Sequence, residues 1–582
     1  MRAVILLCAV LLIAGAGYML IFATADRRIQ AEFTFISGPL RTLDPQRTSM
    51  LRDFRIIDVL YDRLTRLSHE TGEPVPAMAE RWQISEDGRT YTFHLREDAR
   101  WSNGDPVRAE EFILGWRRAM MPDFAAYYRT MFDYIEGAED WFTLRNEDLQ
   151  AYADRPAAQR SEQAAKQLLE THLEAFEREV GLEAPDDHTL IITLEKPVPY
   201  FLDLTAFMTF SPQHAPSMAE AMLDPDEDTG MVRMRGDWLA PDKLITNGPY
   251  FLAEHRPNRH LLLEASEHYY DREAMTSASI GVRILETGPA LRSYEGGHYD
   301  WWPDVPTAHV IAGDLYQQKQ DGDRDDVHVF DEAATSYAVF NVQDEYRGEA
   351  NPFADRHIRR AFAKAIDVDQ IIADIMRKQE RKSHSLVPPG MIPGYEPPQD
   401  VAPRFAPEAA ARMLEAYDGE VPSVTILYRT GTGQNAMAER VARQWRDHLE
   451  ADVTIEGVPH DVFVERLKEG RFMFTFANWF ADYRDPTSWL NMYRSGDGNN
   501  HAKWANDDYD RILAEAAEIT DPERRMSMLE DAERLLLREA PIVPMFIWRS
   551  IELYDPQRVR NLDRTPWTWP RLDRVEVTRP ER

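Results

Sequence analysis

The sequence predicts a large mixed α/β protein. Short runs with strand periodicity alternate with amphipathic helical runs along the 582 residues, a pattern typical of α/β folds. Hydrophobic residues make up 43% of the chain and aromatic residues 11%, which is enough for a large core and excludes a disordered or fibrous chain. At about 150 residues per domain, the length allows roughly four domains or one large fold with inserted lobes.

Both element types have clear examples in the sequence. Tyr91, Phe93 and Leu95 alternate with polar neighbours, which predicts a half-buried strand over 90–96. Apolar residues recur at helical spacing over 161–180, and Gly181 is a candidate stop for that helix. Further strands are predicted at 190–194 and 424–428, with further helices from the latter strand through Leu449, at 505–513 and at 522–538.

Charge and cysteine content exclude several classes of function. The 67 Lys and Arg residues against 99 Asp and Glu residues give a net charge of −32, the opposite of the basic surface that nucleic-acid binding requires. The single cysteine, Cys8, lies near the N-terminus. The rest of the chain therefore offers no disulfide, no cysteine-ligated zinc and no thiol nucleophile.

The N-terminus carries an export signal. Residues 3–23 form an uncharged apolar run, and Ala23 and Ala25 fit a small-x-small cleavage site. This pattern predicts a signal peptide or an uncleaved signal-anchor over 1–25, with everything after residue 26 exported. Lipidation at Cys8 fits poorly, because bulky Leu7 stands where a small residue is expected.

Three patterns suggest a cofactor or a metal, and each has a simpler interpretation. Gly431 and Gly433 follow a strand and open a helix, with Glu456 near the end of the next strand. That arrangement fits a dinucleotide site or a plain glycine turn, and no second nucleotide-binding half is visible.

The possible metal patterns are weaker still. The acidic run 321–326 mimics a calcium loop together with Glu332, but Asp326 stands where glycine is needed, so a solvated connector is favoured. The spacing of His255, His260 and His268 fits no common zinc pattern. We therefore expect no metal and no cofactor.

A cluster of aromatic and acidic residues lies over 474–489. Trp479, Asp482 and Tyr483 crowd the predicted end of a strand. An acid among aromatic rings can hold a cationic group through a salt bridge beside a cation–π face. The alternative is a core strand that ends in an Asp-Pro turn at Asp485.

Seven motifs in order carry a resemblance to a known family. They are LDPQ (43–46), PAMAERW (76–82), REDARWSNGDPV (96–107), TNGPY (246–250), IRRAF (358–362), ADYRDP (481–486) and APIVP (540–544). With these motifs the chain resembles the periplasmic oligopeptide- and dipeptide-binding proteins of ABC importers.

The resemblance implies an α/β, two-lobed periplasmic-binding-protein (flytrap) fold with an additional inserted lobe near the N-terminus. Lobe I is expected to comprise 32–55, 196–330 and 545–582, the inserted lobe 56–195, and the second ligand-binding lobe 331–544. Two predicted connectors, at Pro197–Pro199 and at the acidic run 321–326, agree with these boundaries.

It also implies a function. The protein would be a monomeric, non-enzymatic periplasmic binder that captures oligopeptides and delivers them to an ABC permease in the inner membrane. The absence of any nucleophile–base motif agrees with a binder. The alternatives are a binder of another cationic or neutral small solute, and a membrane-tethered receptor or chaperone domain without a transport role.

The resemblance assigns candidate ligand-binding residues. Asp482 matches the family's acidic anchor for the ligand's α-amino group, surrounded by Trp479, Phe480 and Tyr483. The backbones of Asn478 and Phe480 are expected to pair with the peptide. A cleft tyrosine is expected at either Tyr127 or Tyr128.

Two positions depart from the family pattern. Phe476 stands where members often carry an arginine for the ligand carboxylate, and Gln434 stands where some carry a histidine. We therefore expect a carboxylate to meet water or a distant charge such as Arg429 or Lys503. Blocking the C-terminus of a ligand should then cost less affinity than blocking its N-terminus.

Overall fold

The computed structural model describes residues 29–306, 310–417 and 423–579. The predicted signal segment 1–25 and Cys8 lie outside the described residues. Within them, no helix combines the length and apolarity needed to cross a membrane. Helices and strands alternate along the chain, so the predicted α/β class is confirmed.

The strands fall into one large sheet, one four-stranded sheet and three short pairs. In chain order they are β1 (Phe33–Ser37), β2 (Thr65–Leu67), β3 (Pro74–Pro76), β4 (Ala79–Ile84), β5 (Thr90–Leu95), β6 (Leu182–Asp186), β7 (Thr189–Thr193), β8 (Tyr250–Arg256), β9 (His260–Ala265), β10 (Ser279–Ile284), β11 (Trp301–Trp302), β12 (Val327–Phe340), β13 (Glu345–Tyr346), β14 (Glu349–Ala350), β15 (Val424–Arg429), β16 (Val453–Val458), β17 (Phe474–Phe480), β18 (Ile542–Tyr554), β19 (Val559–Arg560) and β20 (Glu576–Val577).

The helices cover both faces of the large sheet and fill the connections. The α-helices are α1 (Leu51–Leu60), α2 (Ala109–Met120), α3 (Ala138–Ala153), α4 (Glu162–Glu179), α5 (Phe201–Leu204), α6 (Ala215–Ala221), α7 (Thr287–Glu295), α8 (Val310–Gln320), α9 (Arg356–Lys364), α10 (Val368–Ile371), α11 (Pro407–Glu415), α12 (Gln434–Leu449), α13 (His460–Lys468), α14 (Thr487–Leu490), α15 (Asp507–Ala517) and α16 (Pro522–Glu539). Short 3-10 helices occur at Pro122–Phe124, Arg129–Phe132, Ala157–Gln159, Met208–Phe210, Arg272–Ala274, Pro352–Ala354, Asn491–Tyr493 and Leu572–Arg574, and a π-helix at Ile372–Met376.

The elements predicted from local patterning are confirmed, with small shifts at their ends. Strand β5 buries Tyr91, Phe93 and Leu95 as its alternation predicts. Helix α4 begins after Ser161, whose side chain accepts the N–H of Ala164. The helix predicted over 505–513 instead runs from Asp507 to Ala517. It begins there because the Asn506 side chain caps it by accepting the N–H of Tyr509 at 3.0 Å.

The large sheet has ten strands in the order β16-β15-β17-β12-β18-β11-β1-β10-β9-β8. Its centre is the antiparallel pair of β12 and β18, two long strands that connect one half of the sheet to the other. Their register shifts between Asp331 and Thr335 and again between Ser336 and Tyr337. Such irregularities bend a strand and increase its twist.

Of the four predicted lobe boundaries, 55/56 lies inside helix α1, and two others lie near these register shifts. The 330/331 and 544/545 boundaries lie inside β12 and β18, so the sheet is continuous across them. The 195/196 boundary follows β7 in the four-stranded sheet, whose order is β4-β5-β7-β6. The assignment of residues to lobes stays a prediction.

The buried residues form separate apolar clusters. The first cluster combines β1, the four-stranded sheet and α1 to α6. The second and third clusters both lie within 333–546, on opposite faces of β17. Because side chains alternate along a strand, Phe474 and Phe476 belong to the third cluster, while Ala477 and Trp479 pack against the second.

Candidate functional site

The chain makes a tight turn directly after β17, and this turn carries the acid predicted to bind ligand. Asp485 accepts the N–H and the hydroxyl of Thr487 at 3.0 and 2.6 Å. The backbone N–H of Asp482 donates to the Ser488 hydroxyl at 2.9 Å. These bonds use the backbone of the turn and leave the Asp482 carboxylate free to point elsewhere.

The Asp482 carboxylate has no cationic partner in the part of the chain that the structure describes. A side-chain hydrogen bond from Tyr128 lowers its pKa, but burial dominates and raises the pKa of Asp482 to about 7. Burial in this environment destabilises the ionised carboxylate, and no positive charge compensates for the lost hydration. The site is therefore electrostatically suited to a cation supplied from outside.

Tyr128, rather than Tyr127, is the tyrosine that the fold brings to Asp482. The Tyr128 ring packs edge-on against Phe207 with centroids 4.8 Å apart. Burial and the negative charge of Asp482 hold its pKa well above the usual value. Tyr127 is 70% exposed. The contact joins the predicted inserted lobe to the predicted second lobe, and a ligand role for either tyrosine stays a prediction.

Tyr483 and Phe480 occupy different environments beside Asp482. Tyr483 is buried and stacks on Tyr200, with ring centroids 4.3 Å apart and planes 8° apart. The Tyr483 ring therefore packs between the turn after β17 and the segment around Tyr200, and it is not exposed at the open edge of β17. Phe480 is partly buried and meets Trp548 edge-on at 5.8 Å.

The backbone of β17 presents an open edge next to Asp482. Just outside the two ends of β17, Met473 O accepts the N–H of Asn341, and Ala481 N–H donates to Ala333 O. The odd-numbered residues of β17 therefore direct their backbone groups toward β12. Because alternate residues point to opposite edges, Asn478 and Phe480 direct their N–H and C=O groups the other way.

On that side the neighbouring strand β15 pairs with β17 only at Ile426 and Phe474. Over the described residues, no strand pairs with this edge of β17 beyond that point. The edge can therefore accept an additional extended strand.

Trp479 and Asn478 flank this edge. The Trp479 ring is partly buried, and its Nε1–H lacks a hydrogen-bond partner among the described residues. The Asn478 side chain is exposed and accepts a hydrogen bond from the Ser336 hydroxyl.

The two positions that depart from the family pattern lie apart from the Asp482 carboxylate. Phe476 is 3% exposed and packs edge-on against Phe474 at 5.5 Å in the third cluster. Gln434 is the first residue of α12, and its Oε1 accepts the N–H of Arg429 at 2.9 Å. That carbonyl oxygen is therefore already used to connect the strand end to the helix start.

The structure also reveals residues that the sequence patterns missed. Arg484 donates to Thr71 O at 3.1 Å and lies 3.8 Å from the Asp203 carboxylate. Burial raises the pKa of Asp203 to about 7. Arg525 binds Asp485 through two nitrogens at 2.6 and 3.0 Å. No local pattern could identify them, because their partners lie far away in sequence.

The alternative cofactor pattern does not form a free binding loop. Gly431 and Gly433 adopt positive φ of 78° and 75°, the conformation of a turn before α12. Glu456, the candidate ribose ligand, is paired with Arg347 at 2.9 Å and Arg466 at 2.8 Å. The glycine-turn interpretation accounts for this segment.

The acidic run 321–326 lies in the turn between α8 and β12. Within it, Arg324 pairs with Asp326 at 2.8 Å and with Glu295 at 2.9 Å. Nowhere in 29–306, 310–417 or 423–579 do three or more His, Cys, Asp or Glu side chains gather in a way that could hold a metal ion.

The open edge of β17 therefore lies beside a buried acid that has no cationic partner among the described residues. Residues 73–501 match the family described as bacterial extracellular solute-binding proteins, family 5 Middle, and the chain belongs to this family.

Individual relatives extend over most of the chain. It is 30% identical over 518 residues to the dipeptide-binding protein DppE of Bacillus subtilis, covering 87% of this chain and 84% of that one. It is 27% identical over 525 residues to a probable deoxycholate-binding periplasmic protein, YgiS, of Escherichia coli, covering 88% and 87% of the two chains.

A solved structure confirms the predicted two-lobed fold. The murein tripeptide binding protein MppA of Escherichia coli superposes with a TM-score of 0.74 at 23% identity, covering 95% of this chain and 99% of that one.

Proposed function

We propose that this protein captures oligopeptides outside the cytoplasm and delivers them to the permease of an ABC importer in the inner membrane. The observation that carries the proposal is the open edge of β17, followed two residues later by the Asp482 carboxylate, which has no cationic partner among the described residues. An extended peptide can add to this edge through its backbone while its α-ammonium pairs with the acid. Backbone recognition requires no particular side-chain sequence.

Relatives support this class of ligand. DppE of Bacillus subtilis is named a dipeptide-binding protein, and a structure of OppA from Haemophilus influenzae is a complex with the peptide RPPGFSPFR. The proposal includes a monomeric binder that catalyses no reaction and uses no cofactor.

A second candidate ligand is another small solute. The motivating observation is the similarity to the probable deoxycholate-binding protein YgiS. A bile acid carries no ammonium group, so it would leave the Asp482 carboxylate without a cation. The unpaired acid therefore favours a peptide.

The first experiment identifies the ligand directly. The exported chain is purified without denaturation, then unfolded, and the released compounds are identified by mass spectrometry. Peptides should be recovered from the wild-type protein and from the exposed-site control Asp508→Asn, and be strongly depleted from Asp482→Asn. Recovery of a non-peptide solute, retained equally by all three proteins, would contradict the proposal.

We also propose that the N-terminal run 3–23 directs export and then either is removed or tethers the protein to the inner membrane. The tethered form would suit the alternative of a receptor or chaperone domain. Cell fractionation with N-terminal sequencing tests this point. A soluble periplasmic product starting near Asp26 would exclude the anchor.

A further inference from the structure

Arg429 ends the strand that lies beside the open edge of β17. The parallel register pairs Ile426 with Phe474, and the Thr475 hydroxyl donates to Leu427 O at 2.9 Å, in agreement with that register. Continuing this register for three residues beyond the Ile426–Phe474 pair brings Arg429 level with Ala477. Strand β15 stops there, whereas β17 continues toward Asp482.

A peptide added to the edge of β17 would therefore occupy the position next to β17 beyond the end of β15. If its α-ammonium lies at Asp482, its chain runs back along β17 and its C-terminus approaches the end of β15. The five residue-to-residue steps from Ala477 to Asp482 span about 17 Å at about 3.3–3.4 Å per step. A tetrapeptide spans most of this length, and the arginine side chain covers the remainder.

The Arg429 guanidinium has an N–H donor without a hydrogen-bond partner among the described residues. Its Nε–H is buried without a partner among the described residues, and its Nη1 lies 3.3 Å from His460 Nδ1. Burial lowers the pKa of Arg429, with no charged group contributing to the shift. The chain has 99 acidic residues, yet no acidic residue that the structure describes forms an ion pair with Arg429.

The other two polar groups considered for a ligand carboxylate already have partners. Lys503 donates its Nζ–H to Lys468 O at 2.8 Å, and Gln434 Oε1 holds the Arg429 N–H. Arg429 lies on the same face of β15 as Leu427, because side chains alternate along a strand. Leu427 belongs to the second apolar cluster, and Ala477 and Trp479 pack against that cluster. The unpartnered Trp479 Nε1–H therefore lies on the side of the sheet to which Arg429 points.

We propose that Arg429 binds the α-carboxylate of the peptide, with Asp482 at the other end. This inference rests on the proposed peptide-binding function and names the residue that replaces the missing arginine at Phe476. A guanidinium presents two parallel N–H donors to a carboxylate, so the pair is both strong and oriented. It reverses the expectation that the C-terminus of a ligand has no charged partner and tolerates blocking.

The test compares one pair of probes across matched variants. A degenerate tetrapeptide mixture is prepared with free and with amidated C-termini, and sequences retained by the wild-type protein are resynthesised for calorimetry. The variants are Arg429→Gln, Arg429→Lys and the control Arg440→Gln, which removes a surface arginine paired with Asp374. The affinities of the free and the amidated peptide are measured on the same preparation of each variant. Any fraction of misfolded protein then affects both measurements equally.

Amidation should weaken binding to the wild-type protein and to Arg440→Gln by about 10- to 100-fold, as expected for a desolvated charge pair. Arg429→Gln should weaken the free peptide by a similar factor and abolish the effect of amidation, with Arg429→Lys intermediate. An amidation effect unchanged in Arg429→Gln would overturn the assignment while leaving the peptide-binding function intact. A wild-type protein that retains neither tetrapeptides nor peptides of any other length would end both proposals.

Discussion

Tyr200 and Tyr483 stack face to face, with ring centroids 4.3 Å apart and planes only 8° from parallel. Both rings are buried, and they belong to the same apolar cluster although they are 283 positions apart in the sequence. Tyr483 directly follows Asp482, the candidate anchor for the ligand. The stack therefore connects the turn that carries Asp482 in one predicted lobe to another predicted lobe.

Removing this stack should weaken ligand binding without abolishing it. Tyr483→Ala is expected to lower peptide affinity about 2- to 10-fold, because an aromatic pair contributes roughly 0.5–1.5 kcal/mol beyond its buried area. Tyr483→Phe keeps the ring and should stay close to wild type. Calorimetry with a retained tetrapeptide measures both. Equal affinity for all three proteins would show that the stack does not contribute to binding.

Peptide affinity should depend on pH through Asp482. Burial raises the pKa of Asp482 to about 7, so below pH 7 a ligand ammonium must displace a proton. Affinity should rise up to tenfold per unit between pH 5 and 7, then fall above about pH 8 as the peptide amine loses its proton.

Two comparisons isolate this effect. An N-acetylated peptide and the Asp482→Asn variant should both lack the rise between pH 5 and 7, whereas Asp508→Asn should keep it. A rise that persists in Asp482→Asn would assign the titration to another group.

The stability of the protein should also depend on pH through Asp203. Burial raises the pKa of Asp203 to about 7, above its unfolded value of about 3.9, so the folded state binds this proton more tightly. The resulting stability is complete below about pH 4 and is lost as the pH rises toward 7. Asp203→Asn should match wild type at pH 4 and exceed it by about 1–3 kcal/mol at pH 8.

Denaturant titrations at pH 4, 6 and 8 measure this difference. The exposed control Asp508→Asn should differ from wild type equally at each pH. Greater stability of wild type than Asp203→Asn at pH 8 would show that the ion pair with Arg484 outweighs the desolvation of the carboxylate.

The buried pair of Arg525 and Asp485 should be a major determinant of stability. Both side chains are almost completely buried, and Arg525 also lies 6.0 Å from the Tyr200 ring centroid. Arg525→Met leaves an uncompensated carboxylate and should cost about 3–5 kcal/mol of unfolding free energy. Arg525→Lys should be intermediate because it cannot make two parallel bonds.

A surface pair provides the matched control for this measurement. Arg511 and Glu515 form an exposed i,i+4 pair on α15, so Arg511→Met should cost no more than about 0.5 kcal/mol. Thermal and denaturant unfolding distinguish the two cases. Similar small losses in both variants would contradict the role of the buried pair.

Local patterning was sufficient to predict most individual elements. The alternation of Tyr91, Phe93 and Leu95 and the helical stripe over 161–180 each depend on neighbours a few residues away, which the sequence displays directly. The ordered motifs predicted the family and the two-lobed fold. They also made Asp482 the candidate anchor, because an acid close to aromatic residues can be read directly from the sequence.

The sequence by itself therefore determined the elements, the fold family and one end of the candidate site. Only the tertiary structure decided that Tyr128 rather than Tyr127 meets Asp482, that Phe476 turns into the core, and that Arg429 ends a strand beside the open edge. The physical reason is that these outcomes depend on which strands pair and in what register. Pairing is set by the burial of whole faces between segments far apart in the chain, which no local periodicity records.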